Sequence, residues 1–161
     1  MQIRIRATGQ VLLEHEWIKW VATTYAKSIS AMTADIYDRF DSDAVFEGAQ
    51  ATGGTVYQYS QRDGVEQQSD GKWYTKYILG PVFTDGETTA AEQEAAYKAQ
   101  KDTEQAASVR ASRTEKLKDC DWTQISDSTA DKAAWATYRQ ALRDITKQAG
   151  FPWAVEWPVQ P

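Results

Sequence analysis

The beginning of the chain combines an alternating apolar and polar pattern with one short helical pattern. Gln2–Ala7 alternates apolar and polar side chains, which predicts a half-buried strand, and Gly9 offers a turn before Val11–Leu13. Apolar residues at helical spacing between Trp17 and Tyr25 predict one short amphipathic helix. The chain should therefore begin with a strand, a turn and a helix.

Two later runs of β-branched and aromatic residues, 56–59 and 73–79, predict further strands. Turn signals border them at Arg62–Gly64 and Asp70–Gly71, which favours a meander of hairpins. We expect these elements to form a β-rich N-terminal domain over residues 1–86.

The next stretch predicts one long helix. From Thr89 to Lys118 it is rich in Ala, Glu, Gln and Lys and contains no Gly or Pro, and Thr89 with Glu92 forms a capping-box signature. Large apolar residues are almost absent from it, so the helix would bury little area by itself. We expect residues 87–118 to be a connecting helix, either a spacer or one strand of a shallow Ala-based coiled coil with other copies or partners.

The last region, 119–161, begins with a second helical pattern. Asp121–Gln124 breaks the long helix, Asp127 or Ser128 can cap the next one, and Gly150 ends it. A buried stripe on this helix is marked by apolar residues at helical spacing: Trp135, Tyr138, Leu142 and Ile145. The region should form a small helical module.

The tail beyond this helix changes to a period of two. Apolar residues fall at every second position: Phe151, Trp153, Val155, Trp157 and Val159. An extended backbone would place them on one face, and Pro152 and Pro158 remove N–H donors from one edge only. The pattern predicts an edge strand or a polyproline-like arm. Its rings either fold back over the helical stripe or dock on a partner.

These elements predict an α+β protein. It would consist of a small β-rich N-terminal region with one short helix, a long connecting helix, and a small helical C-terminal module ending in an extended aromatic arm. An apolar fraction of 42% is typical of globular chains, but 7 Trp and 8 Tyr in 161 residues are unusual. This aromatic excess fits a protein that packs heavily, recognises another molecule, or does both.

The charge balance argues against nucleic-acid and membrane roles. With 18 basic and 23 acidic residues the net charge is −5, whereas phosphate binding needs a basic surface. No apolar run approaches the roughly 20 residues that span a bilayer. The opening residues are charged where a secretory signal would be apolar, and the single Cys120 agrees with a reducing compartment. We expect a cytoplasmic protein.

No metal, cofactor or catalytic site is predicted. Four aspartates form the only dense acidic cluster, Asp35, Asp38, Asp41 and Asp43, but the Gly and distal Glu of a calcium loop are not at the required spacing. We interpret this cluster as a solvated, turn-forming loop. His15 and Cys120 lack the neighbours that a catalytic centre requires. The protein is therefore not expected to be an enzyme.

The C-terminal residues resemble the phage tail assembly chaperone-like domain family. The resemblance is carried by Arg113, Leu117, Asp121–Gln124, Asp127, Trp135, Tyr138–Ile145, Gly150–Pro152, Trp157–Pro158 and Pro161. The chain departs from the commoner form at Asp119–Cys120, where an apolar or small pair is usual. The resemblance implies a small helical module, without catalytic residues, in proteins that help tail or fibre subunits fold or assemble.

The function implied is that of a phage tail or tail-fibre assembly chaperone, or of a fibre-associated accessory protein. Its partner would be a tail-fibre or other tail structural protein, which it would bind in the host cytoplasm during assembly. The protein would then either dissociate or be retained in the virion tail. Homo- or hetero-oligomers through the long helix remain open. The alternative is a carbohydrate-binding module at a fibre tip, with Trp73, Tyr74, Tyr77 and the tail tryptophans stacking on glycans.

Candidate partner-binding residues are the large aromatics and arginines of the last region, because both types are enriched at interfaces. They are Trp122, Trp135, Tyr138, Arg139, Arg143, Phe151, Trp153 and Trp157.

Overall fold

The computed structural model describes residues 1–161 and divides them into two compact units, Met1–Val82 and Phe83–Pro161. A β-sheet with short helices forms the first unit and helices form the second, which confirms the α+β class. The long helix lies within the second unit. The finer division at residues 86 and 118 stays a prediction. None of the helices combines the length and apolarity that crossing a membrane would require.

The first unit is built on a five-stranded sheet with the order β2-β1-β3-β5-β4. Its strands are β1 (Gln2–Ile5), β2 (Val11–Leu13), β3 (Ser42–Phe46), β4 (Tyr59–Gln67) and β5 (Trp73–Gly80). Its helices are α1 (Glu14–Tyr25) and α2 (Ala34–Arg39). All neighbouring strands are antiparallel except β3 and β5, which are parallel. The expected meander is therefore wrong, because β3 enters the sheet between β1 and β5.

The core of this unit forms where α1 and α2 cover one face of the sheet. Ile3 and Ile5, alternate residues of β1, are buried there together with Trp17 of α1. The Trp17 ring meets Tyr37 edge-on, with ring centroids 5.6 Å apart. Its indole Nε1 donates a 2.9 Å hydrogen bond to the buried Ser42 hydroxyl. The alternation seen in the sequence thus produces this apolar face.

The acidic cluster is not the loop that we expected. Its residues lie on or beside α2 and β3, the second helix and the strand that were not predicted. Arg6 donates hydrogen bonds of 2.8 Å to Asp38 and Asp43, and Asp41 lies 3.8 Å from the same guanidinium. These hydrogen bonds raise the pKa of Arg6. The prediction failed because the counter-charge comes from Arg6, which follows β1 and is distant in sequence.

The β4–β5 hairpin confirms one predicted turn and corrects another. Its loop closes at Asp70–Gly71, where the Gly71 N–H donates to Gln68 and Gly71 adopts a positive φ of 80°. The segment Arg62–Gly64 is instead a bulge inside β4, with Gly64 at φ 83° and a register shift between Arg62 and Val65. Glycine adopts the positive φ that both a hairpin turn and a β-bulge require, so residue type alone did not distinguish the two.

The second unit begins with the long helix α3 (Ala90–Asp119), as predicted. The Thr89 hydroxyl accepts from the Glu92 N–H, and the Thr89 N–H donates to the Glu92 carboxylate, so the capping box is confirmed. A short 3-10 helix at Asp121–Gln124 follows, then α4 (Lys132–Asp144) and a 3-10 turn at Ile145–Lys147.

Both predicted ends of α4 are wrong by a few residues. The N-cap is Asp131, which accepts from the N–H groups of Ala133 and Ala134, and not Asp127 or Ser128. At the other end α4 stops at Asp144, before Gly150. Gly150 instead lies in a turn that allows no side chain, since a Cβ would come 2.0 Å from the Ala154 carbonyl oxygen.

The buried hydrogen bond between Trp17 and Ser42 gives a stability prediction. Ser42→Ala leaves the indole donor unpaired in the core, which should lower the free energy of unfolding by about 1–3 kcal/mol. Urea unfolding followed by tryptophan fluorescence measures it. The exposed Ser30→Ala is the matched control and should stay within about 0.5 kcal/mol of wild type. Equal stabilities for the two variants would contradict the assignment.

Candidate functional site

The predicted stripe on α4 is the core of the second unit. Tyr138, Leu142 and Ile145 are buried, and Tyr138 and Leu142 pack with Cys120 at the end of α3. Trp135, one turn earlier, is only partly buried against this cluster. The helical periodicity therefore predicted the buried face, and its first member lies at the edge of that face.

Three aromatic rings form a row from this core to the surface. Trp135 meets Tyr138 edge-on, with centroids 5.6 Å apart and planes at 90°. Trp122, from the 3-10 helix, meets Trp135 at 5.9 Å and 61°. Exposure rises along the row, from 4% for Tyr138 to 54% for Trp122, and Ile125 nearby is also 54% exposed. We call Trp122, Ile125 and Trp135 the aromatic edge.

The rings of the tail fold back within the unit. Trp157 packs against the Cys120–Tyr138–Leu142 cluster, and Lys116 of α3 lies 5.4 Å from its ring centroid. Trp153 donates from its indole to Asp102 at 2.5 Å, and the Arg110 guanidinium lies 5.4 Å from the Phe151 ring. All three rings are partly buried. Of the two alternatives left open by the sequence, the structure has the fold-back arrangement.

The tail does not form the edge strand. The Ala154 N–H donates to Gly150 in a turn, and no helix or strand follows it. The Gln148 side chain pairs with the tail backbone, accepting from the Glu156 N–H at 2.7 Å and donating to its carbonyl at 2.8 Å. Val159 is 90% exposed, so the alternating residues do not share one buried face. The side-chain amide of Gln148 thus forms the backbone hydrogen bonds that a neighbouring strand would otherwise form.

Arg139 is engaged at the C-terminus of α3. Its Nη1 donates to the Leu117 carbonyl at 2.8 Å and to Cys120 Sγ at 3.0 Å, and its Nη2 donates to Asp121 at 2.8 Å. Burial lowers the pKa of this guanidinium, but the bonds to Asp121 and Cys120 outweigh burial and leave the pKa raised. An arginine there satisfies a carbonyl that the helix leaves unpaired. Arg143 is exposed on the same helix.

Comparison with known proteins concerns this same segment. The family described as phage tail assembly chaperone protein matches residues 106–161. The C-terminal third of the chain is therefore similar to this family. The match begins within α3 and includes the aromatic edge and the tail, which confirms the resemblance drawn from the sequence. No curated protein and no solved structure matches the chain.

The matched segment contains every candidate partner-binding residue. The structure brings Trp122, Trp135 and Tyr138 into one row and places Phe151, Trp153 and Trp157 along α3 and the core. The role of these residues in binding a partner stays a prediction. Ile125 was not included among the candidate partner-binding residues in the sequence analysis. Its position as a large apolar residue in a polar, Asp-rich segment could have indicated an exposed apolar side chain.

Two other kinds of site can be compared with the structure, a metal site and a carbohydrate-binding surface. No group of three or more His, Cys, Asp or Glu side chains is arranged to hold a metal ion. In the first unit the Arg4 guanidinium lies 3.9 Å from the Trp73 ring centroid, and Tyr77 donates to Glu47. These contacts occupy aromatic side chains that the carbohydrate-binding alternative would use, and no observation favours that alternative.

Arg139→Ala tests the role of this arginine at the end of α3. Loss of the hydrogen bonds to the Leu117 carbonyl and Asp121 should lower the free energy of unfolding by about 1.5–3 kcal/mol. Urea unfolding followed by far-UV circular dichroism measures the loss of helix. Arg143→Ala removes the same charge from an exposed position and should change it by less than about 0.5 kcal/mol. A similar cost for both would mean that charge, not capping, is responsible.

Removing two tail rings tests the fold-back arrangement. Trp153→Ala with Trp157→Ala should lower the free energy of unfolding by roughly 2–4 kcal/mol, because two large rings leave partly buried positions. The same denaturation experiment checks it, with Val159→Ala as a control in the same tail. A double variant as stable as Val159→Ala would show that the rings contribute nothing to the fold.

Proposed function

We propose that this protein is a non-catalytic chaperone that binds a tail or tail-fibre structural protein in the host cytoplasm during phage assembly. The family match over residues 106–161 supports a role in tail assembly. The observation that carries the proposed binding surface is the exposure of Trp122 and Ile125, each 54% accessible, at the outer end of an otherwise packed row of rings.

The chemistry of this edge suits a chaperone. Unassembled structural subunits expose apolar surface that leads to aggregation, and a chaperone must cover that surface reversibly. A large aromatic side chain buries on the order of 150–250 Å² when fully covered, and about half of Trp122 remains available. Trp122 rests on Trp135, so little side-chain freedom is left to lose on binding.

The other candidates would support this edge without forming it. Tyr138 is buried beneath Trp135, and Arg139 is engaged with the end of α3. The tail rings Phe151, Trp153 and Trp157 pack along α3 and the core. We therefore assign Trp122, Ile125 and Trp135 to client contact, and assign the remaining aromatic residues to holding them in place.

Co-expression tests the proposal directly. The full chain is produced together with each tail structural protein encoded in the same genome, and the soluble fraction of each client is measured. We expect one client to become several-fold more soluble with the wild type and not with Trp122→Ala/Ile125→Ala. Trp122 packs against Trp135 but lies outside the buried core, so this variant should lose about 1–2 kcal/mol of unfolding free energy and stay folded at the assay temperature, which its melting curve checks.

Val159→Ala, which shortens another exposed apolar side chain of the same unit, serves as the matched control and should retain full activity. A client that stays equally soluble with the Trp122→Ala/Ile125→Ala variant would refute the assigned surface. Failure of every tail protein to respond to the wild type would refute the chaperone function itself. Immunoblots of purified particles would decide between release and retention in the virion.

A further inference from the structure

The first unit contains a cavity that lies outside the segment matched by the family. Its volume is about 440 Å³, and its walls come from the last residue of α1, the loop that follows α1, and α2 with its C-terminal end. A volume of this size falls within the range of cavities that bind ligands. The side chains that line it therefore indicate what it could hold.

Part of this lining is apolar and belongs to the core of the unit. Phe40 is 6% exposed, and its ring centroid lies 5.1 Å from that of Tyr25, which is 43% exposed. Ile29 and Ile36 also line the cavity and are partly buried against the core. These four side chains form an apolar surface that packing holds in place and that solvent still reaches.

The rest of the lining carries positive charge and hydroxyl groups. Lys27 and Arg39 line the cavity together with Ser28 and Ser30, and no Asp or Glu does. Neither cation forms an ion pair, and neither hydroxyl forms a hydrogen bond within the chain. The lining therefore complements a molecule that combines an apolar group with a negative charge.

The lack of partners for these two cations sets them apart within the first unit. Most Lys and Arg side chains of Met1–Val82 bond to an oxygen of another side chain: Arg4, Arg6, Arg62, Lys72 and Lys76. The other exception, Lys19, is exposed on α1 and does not line the cavity. Two of the unpaired cations of this unit thus line one cavity.

The carboxylates closest to Arg39 in the chain do not neutralise it. Asp35, four residues earlier on α2, has the spacing at which helical ion pairs form, but it is exposed and forms none. Asp38 bonds to Arg6, and Asp41 lies 3.8 Å from the same guanidinium. Positive charge is therefore left at the cavity for a ligand to meet.

We propose that this cavity binds the carboxyl terminus of a partner protein whose last residue has a large apolar side chain. The terminal carboxylate would accept charge-assisted hydrogen bonds from Lys27 and Arg39, and the side chain would pack against Tyr25 and the isoleucines. A chain terminus carries both groups on one residue, whereas an internal Asp or Glu would need a second residue to supply the apolar group. This site lies in the other unit from the aromatic edge and does not depend on the role proposed for that edge.

Short synthetic peptides test the proposal by NMR titration of the isotope-labelled full chain. A Gly/Ser peptide that ends in Leu with a free carboxylate should bind and shift the amide signals of residues 25–40. The same peptide with an amidated terminus, or with Ser in place of Leu, should bind at least about tenfold more weakly, because each lacks one of the two groups. No shifts at about 1 mM of the Leu peptide would overturn the proposal.

Two further ligands separate a chain terminus from other carriers of the same chemistry. An amidated peptide with an internal Leu-Glu pair has the apolar group and the charge on different residues, and isocaproate has both without a peptide. Each should bind more weakly than the peptide that ends in Leu. Equal affinity for the Leu-Glu peptide would overturn the proposal in favour of an internal acidic segment, and equal affinity for isocaproate would overturn it in favour of a small carboxylic acid.

Substitution of one cation tests the assigned residues. Arg39→Gln should weaken binding of the Leu peptide about tenfold, because a charge-assisted hydrogen bond is lost. Lys19→Gln is the matched control, since it removes an exposed, unpaired cation of the same unit outside the cavity and should leave the affinity unchanged. Both positions are exposed, so both variants should melt like the wild type. Equal affinities for the two variants would overturn the proposed site, as would peptide-induced shifts confined to residues outside 25–40.

Discussion

The second unit depends on the burial of C-terminal rings against a helix that has few apolar side chains of its own. Of the thirty residues of α3, Ala106 and Val109 are buried core residues. Small side chains bury little area, so the helix cannot supply the burial that packing requires. The tail supplies it with Phe151, Trp153 and Trp157, whose polar or cationic neighbours all lie on α3. Without the tail, few apolar contacts would hold α3 in a fixed position.

The same arrangement determines what remains for binding. Because the tail rings lie along α3 and the core, they present only part of their area to solvent. The exposed apolar side chains near the core are then Trp122 and Ile125, which follow the end of α3. Arg139 fixes that end by pairing with Leu117 and Asp121. The packing of the second unit and the exposure of Trp122 and Ile125 thus both depend on the C-terminal end of α3. A change at Arg139, which caps this end, would disturb the aromatic edge that follows it.

Local patterns in the sequence predicted the elements whose causes are local. The capping box at Thr89, the long helix and the stripe through Tyr138 depend on neighbours within a few residues, and these predictions are confirmed. The acidic cluster was misassigned because its partner, Arg6, is distant in sequence. Other failures are local: the tail backbone pairs with Gln148, eight residues away, and the N-cap of α4 was missed because Asp127, Ser128 and Asp131 are all residue types that can cap a helix. The candidate site also needed the structure. Residue type identified Trp122, but only geometry separates an arginine that caps a helix from one that is free to meet a partner.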